Sequence, residues 1–137
     1  MDCLFCKIIN KEIPAYLIYE DNDAVGILDV QPVASGHSMI IPKFHSENIL
    51  DFPNDKIGAV FSAVKKITEI LDKSFSPDGF TIGINHGKAS GQAIGHLHIH
   101  IIPRFKNDKG GSIHSVVNNP PTQSLEEIKF KITNSKL

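Results

Sequence analysis

The chain has 137 residues, 41% hydrophobic and 21% charged. That is the length of one domain with enough apolar content for a core, and it excludes wholesale disorder. A net charge of −1 excludes the broad positive field of a nucleic-acid backbone binder, and no run approaches the roughly 20 apolar residues of a membrane span.

The first residues, Met1 to Cys6, show no basic segment followed by an apolar run. No secretory signal is expected, and a cytoplasmic protein without nucleic-acid or membrane partners is the expectation. Leu4 to Ile13 reads as a short helix stopped near Pro14. Tyr16 to Glu20 reads as a strand, Asp21-Asn22-Asp23 as a turn, and Ala24 to Asp29 as the returning arm of a hairpin. Pro32 and Gly36 mark a loop before a third strand, Ser38 to Lys43, with Pro42 at its end or on an edge. From Asp55 to Phe75, Ile57, Val60, Phe61, Val64, Ile67, Leu71 and Phe75 recur at steps of three and four, so one face of a long helix is apolar. Phe80 to Asn85 reads as a fourth strand, His86 to Gly95 as a glycine-rich loop, and His96 to Arg104 as a fifth strand. A short helix is expected from Ser124 to about Ile132. The sum is an α+β domain in which antiparallel strands carry one long helix on a face.

Chemistry concentrates in His96-Leu97-His98-Ile99-His100-Ile101-Ile102. Strand alternation puts His96, His98 and His100 on one face and Leu97, Ile99 and Ile101 on the other. Three alternating imidazoles suit nucleophilic or acid–base work. The competing readings are a solvated strand face and a zinc hydrolase, for which no Asp or Glu stands between Gly79 and Asn107. A carboxylate for such a centre has to come from a distant residue, Asp29 or Glu20. The preceding loop, with Gly87, Gly91 and Gly95, can turn backbone N–H groups toward an anion. Cys3 and Cys6 supply half of a tetrahedral zinc site, with His37, His45, His86, His96 and His114 as candidates for the other half. Two free buried thiols are the plain alternative.

His96 to Ile102 fits the histidine-triad signature, His-φ-His-φ-His-φ-φ, where φ is apolar. Cys3 to Ile9 with Glu12-Ile13-Pro14, Tyr19-Glu20-Asp21 with Leu28-Asp29-Val30, Gly36 to His45, and Gly91-Gln92 resemble the flanking segments of the same family. The chain thus resembles the histidine-triad (HIT) superfamily, nearest its Hint-type and bacterial small members. The likeness runs from Cys3 to about Arg104, with 105–137 an extension of a single domain.

The resemblance implies a five-stranded antiparallel sheet with one long and one short N-terminal helix, and a homodimer whose sheets join across the interface. It implies attack on the α-phosphorus of purine nucleoside phosphoramidates (AMP or GMP derivatives) through a nucleotidyl-histidine. Dinucleoside polyphosphate hydrolysis, or a nucleotide-binding module with incidental catalysis, are the alternatives. By the same matching, His98 is the nucleophile and His100 and Gln92 face the phosphate. Asn85, Gly91 and Ala93 border it, Asp29 holds ribose hydroxyls, and Phe5, Ile8, Ile13 and Ile27 line the base pocket. A structural zinc is implied on Cys3, Cys6, His45 and His96, with no catalytic metal or organic cofactor. His37, His86 and His114 are left as surface or loop histidines. Hint-type sequences carry a serine where this chain has Ala93, which implies weaker assistance to a leaving amine and a tilt toward anhydride substrates. A backbone carbonyl on one ring nitrogen of the nucleophile is expected to fix its tautomer and leave the other nitrogen free to attack.

Overall fold

A computed structural model describes residues 2–135. Helix α1 (Leu4–Ile9) is followed by strands β1 (Leu17–Glu20), β2 (Ala24–Leu28) and β3 (Ser38–Pro42), then α2 (Ile57–Phe75), β4 (Gly79–Gly83), β5 (Ile99–Arg104) and α3 (Leu125–Thr133). The strands form one antiparallel sheet in the order β1-β2-β3-β5-β4. Pro42 closes β3, where its missing N–H costs no interior ladder bond. Among the described residues no helix is long and apolar enough to cross a membrane.

The two faces of the sheet carry two cores. On one, α2 buries Val60, Ala63, Val64, Ile67 and Leu71 against Ala24, Ile40, Leu97, Ile99 and Ile101. The expected apolar stripe shifts at its margins: Phe61 and Phe75 stay 44% exposed, while Ala63 is fully buried. On the opposite face α1 covers only the β2–β3 half, packing Phe5 and Ile8 against Val25, Ile27, Met39 and Ile41. The β5–β4 half of that face is left without a helix, and the candidate site lies along the seam.

Two boundaries differ from expectation for physical reasons. Helix α1 stops at Ile9, four residues early, because Lys11 adopts a left-handed φ of 64° and the Glu12 N–H turns back to the Lys7 carbonyl. Strand β5 begins at Ile99 and not at His96. The His96 N–H bonds the Ile94 carbonyl and the Leu97 N–H bonds the Ser46 carbonyl, so residues 96–98 are held outside the ladder. From Lys106 to Ser135 no residue is buried. Helix α3 rests on its own cap, Ser124 Oγ accepting the Glu127 N–H.

Candidate active site and sulfur–histidine cluster

The three histidines do not form one row. His98 and His100 stay together, ring centroids 5.1 Å apart, while the His96 ring turns away to meet His45 at 4.8 Å. The reason is the late start of β5, which frees the His96 backbone from strand alternation.

Hydrogen bonding fixes the protons on this pair. His98 Nδ1 lies 2.8 Å from the His96 carbonyl oxygen. A carbonyl only accepts, so Nδ1 carries the proton and Nε2 of the neutral ring is a bare lone pair. No fully buried side-chain nitrogen or oxygen among the described residues lacks a partner. His98 Nε2 has none, so it reaches the surface although the residue as a whole is only 7% exposed.

His100 is set the opposite way by a residue that strand logic overlooked. His37, expected at the surface, is buried, with its Nε2 2.9 Å from His100 Nδ1. The Val33 N–H donates to His37 Nδ1 at 3.2 Å. That nitrogen must therefore be bare, and the proton sits on Nε2, from which it is donated to His100 Nδ1. His100 in turn carries its own proton on Nε2, facing outward. Asp29 completes the group, Oδ2 lying 3.4 Å from His37 Nε2 and 3.8 Å from His100 Nδ1, and Oδ1 accepting the Gln31 N–H. Burial lowers the pKa of His37 and of His100, and the neighbouring imidazoles lower His100 further. The Asp29 charge opposes both shifts without reversing them. Although Asp29, His37 and His100 are close enough to share an ion, the proton on His37 Nε2 makes them a hydrogen-bond relay and not a ligand set. Of the two distant carboxylates, Glu20 instead pairs with Lys11 and Lys43.

The second constellation is Cys3, Cys6, His45 and His96, whose ligand atoms all lie within 4.8 Å of one another. His96 Nδ1 is 3.4 Å from Cys3 Sγ, 3.6 Å from Cys6 Sγ and 3.0 Å from His45 Nδ1, and Cys6 Sγ is 3.3 Å from His45 Nδ1. A tetrahedral zinc with two sulfur and two nitrogen ligands has edges of about 3.3 to 3.8 Å. His96 Nε2 donates to the Pro42 carbonyl at 2.8 Å, which leaves Nδ1 bare and aimed inward, the outer-shell bond typical of a ligating histidine. Burial and the adjoining Cys3 thiol push the Cys6 thiol up to about 11. A cation at the centre reverses that tendency. The donor set fits zinc.

The remaining predicted residues divide. Asn85, with His100, borders an opening of about 630 Å³. Ile8 and Ile13 border a depression of about 220 Å³, while Phe5 and Ile27 are buried in the cluster that both isoleucines join. In the loop, a tight turn over Lys88–Ser90 engages the Gly91 N–H with the Lys88 carbonyl. The Ala93 N–H, like those of Ile94 and Gly95, has no acceptor among the described residues. Gln92 turns into its own loop, Oε1 accepting the Gly87 N–H while Nε2 donates to the Glu47 and Ile94 carbonyls. His86 and His114 are exposed as expected. The signal that could have found His37 was its place one residue before a buried strand, two positions after Ser35 in the loop that Gly36 closes.

The HIT domain profile matches residues 10–107. An uncharacterized HIT-like protein, MJ0866, of Methanocaldococcus jannaschii is 43% identical over 93% of this chain and 98% of its own length. The adenosine 5'-monophosphoramidase HNT1 of Candida albicans is 32% identical over 98% of this chain and 96% of its own. Among solved structures, a HIT family member from Bacillus subtilis superposes with a TM-score of 0.87 at 32% identity, covering 100% of this chain and 99% of that one. A zinc-bound histidine triad protein from Mycobacterium smegmatis superposes with a TM-score of 0.75 at 37% identity, covering 80% and 79%. With the sheet, the paired imidazoles and these likenesses in agreement, the chain belongs to the HIT domain family.

Proposed function

We propose that this chain is a nucleotide hydrolase or transferase that attacks the α-phosphorus of purine nucleoside phosphoramidates through His98. The observation that carries the reading is the opposite protonation of two adjacent rings: a bare Nε2 on His98 beside an N–H on His100. One is a nucleophile and the other a hydrogen-bond donor, ready without rearrangement. His98 Nε2 forms a bond to phosphorus as the phosphorus–nitrogen bond to the amine breaks. His100 Nε2–H donates a hydrogen bond to a phosphoryl oxygen and keeps its proton, while the departing amine takes up a proton from water. His37 holds His100 in place, with the Asp29 carboxylate beside both rings. Water then releases the nucleotide from His98. The Ala93 N–H donates to a phosphoryl oxygen, Asn85 borders it, Asp29 keeps an edge open to ribose hydroxyls, and the base packs over Ile8 and Ile13 with Phe5 and Ile27 beneath. Gln92 and Gly91 serve this site by bracing the loop. The activity in the name of the Candida albicans relative supports the reading.

Zinc on Cys3, Cys6, His45 and His96 supplies structure and no chemistry in this scheme. The opening beside His100 has aliphatic walls, including Ile102, Val116 and Val117, and no Lys or Arg among the residues that border it. That favours an uncharged leaving group over the polyphosphate of the alternative reading. The unpaired edge of β4 is where the sheet of a second copy joins in a homodimer, with 105–137 as an extension of the single domain.

The test is AMP release from an adenosine phosphoramidate, with and without chelator, alongside trapping of a nucleotidyl group on the protein. His98→Ala, checked for folding, is expected to lose at least about three orders of magnitude. A folded His98→Ala variant with undiminished turnover overturns the mechanism. Tight AMP binding by the wild type without turnover replaces it with a binding module.

A further inference from the structure

We propose that the Cys3–Cys6–His45–His96 cluster is a positioning device for His98, so that metal loading of the cluster sets the orientation and tautomer of that ring. The inference rests on His98 being the nucleophile, and it adds a control over it.

Strand pairing cannot orient His98. The β3–β5 ladder begins at Ile40 opposite Ile99, and residues 96–98 precede it. Besides the His100 ring 5.1 Å away, two contacts bear on where the His98 ring points, and both originate in the cluster or in the helix that carries its cysteines. The first is the His96 carbonyl, which accepts the His98 Nδ1–H at 2.8 Å. His96 is fully buried, and its ring is tied on one side to the Pro42 carbonyl and on the other to the two sulfurs and His45. A ligand that draws Nδ1 toward the sulfurs fixes the ring, and with it the carbonyl of the same residue. The second contact is Phe5, which sits between the two cysteines on α1. Its ring meets His98 edge-on at 5.1 Å and His96 at 6.0 Å. Helix α1 has six residues, too few to be stable alone in water. Its hold on the sheet, and so the Phe5–His98 contact, depends on its buried apolar residues and on the sulfur ligands at its start. Loss of the central ion releases both contacts together, while the His37 relay that sets His100 is anchored elsewhere, on Val33 and Asp29.

The experiment compares histidine-labelled protein stripped by chelator with the same protein reloaded with zinc, reading long-range nitrogen–proton correlations of each imidazole. The loaded protein is expected to show His98 as the single Nδ1–H tautomer. The stripped protein should show a second tautomer for His98 and an unchanged pattern for His100. Turnover should fall by about 100-fold in the stripped form, the usual cost of roughly 1 Å of misplacement. Identical His98 patterns in both states, with core amide resonances intact, overturn the proposal. If stripping unfolds the chain, Cys6→His keeps four ligands while moving one donor. A His98 signal that stays put in that loaded variant overturns the proposal equally. Because the readout is orientation and not turnover, an unmoved tautomer is distinguishable from an active His98→Ala, which strikes the nucleophile reading instead.

Discussion

His98 and His100 stand two residues apart, yet their protons sit on different nitrogens because one ring meets a carbonyl and the other meets a second imidazole. The chain of causes ends at a backbone amide, that of Val33. His37→Gln keeps an N–H donor near the Nε2 position and is expected to retain most activity, whereas His37→Leu should lose about 10²-fold, within the range for a positioned hydrogen-bond donor. Steady-state rates of the two variants check this. Burial holds His37 and His100 below the ordinary histidine pKa of about 6.5. Below that value the unfolded chain takes up protons that the folded chain refuses, so stability is fully present above it and is lost as pH falls through the folded pKa values. The urea midpoint should therefore drop between pH 7 and pH 5, and the drop should shrink in His37→Gln; a pH-independent midpoint contradicts the assignment. The triad itself was readable as residues, since alternation placed His98 and His100 side by side. His37 was not, because its burial comes from a partner 63 positions away.

At the scale of elements, the expected order of strands and helices is the one observed, and the departures are local. The long helix was legible from its period, and Ile67 is fully buried in the core between it and the sheet. Ile67→Ala is expected to cost about 2 to 5 kcal/mol in urea denaturation. Gly36 lies between this helix and the site. It has a φ of +85°, and an added Cβ would come within 2.9 Å of the Phe75 ring and 3.2 Å of Pro103. Gly36→Ala should cost about 1 to 3 kcal/mol. It should also lower turnover, because His37 follows directly. Strand β5 starts three residues later than alternation predicts, because alternation of side chains continues to His96 in the sequence while two hydrogen bonds to other partners end the ladder before it.

For the whole molecule, the core between the sheet and α2 contains none of the cluster residues, whereas α1 begins at the two cysteines. Stripping metal should therefore raise hydrogen-exchange rates in α1 by more than about tenfold and leave those of α2 nearly unchanged, a contrast expected for separate units of local stability. Uniform acceleration through both helices would show that the cluster supports the entire core. The cysteine pair was legible as half a zinc site from its spacing, whereas His45 and His96 are singled out among the histidines by the family resemblance and not by spacing, since they converge only after the central strands are assembled. That separation matters during synthesis. Cys3 meets His96 across 93 positions, and a ribosome adding about 5 to 20 residues per second needs roughly 5 to 20 s to cover them. For that interval both thiols emerge ahead of the histidines that complete their site, open to any oxidant or metal carrier near the nascent chain.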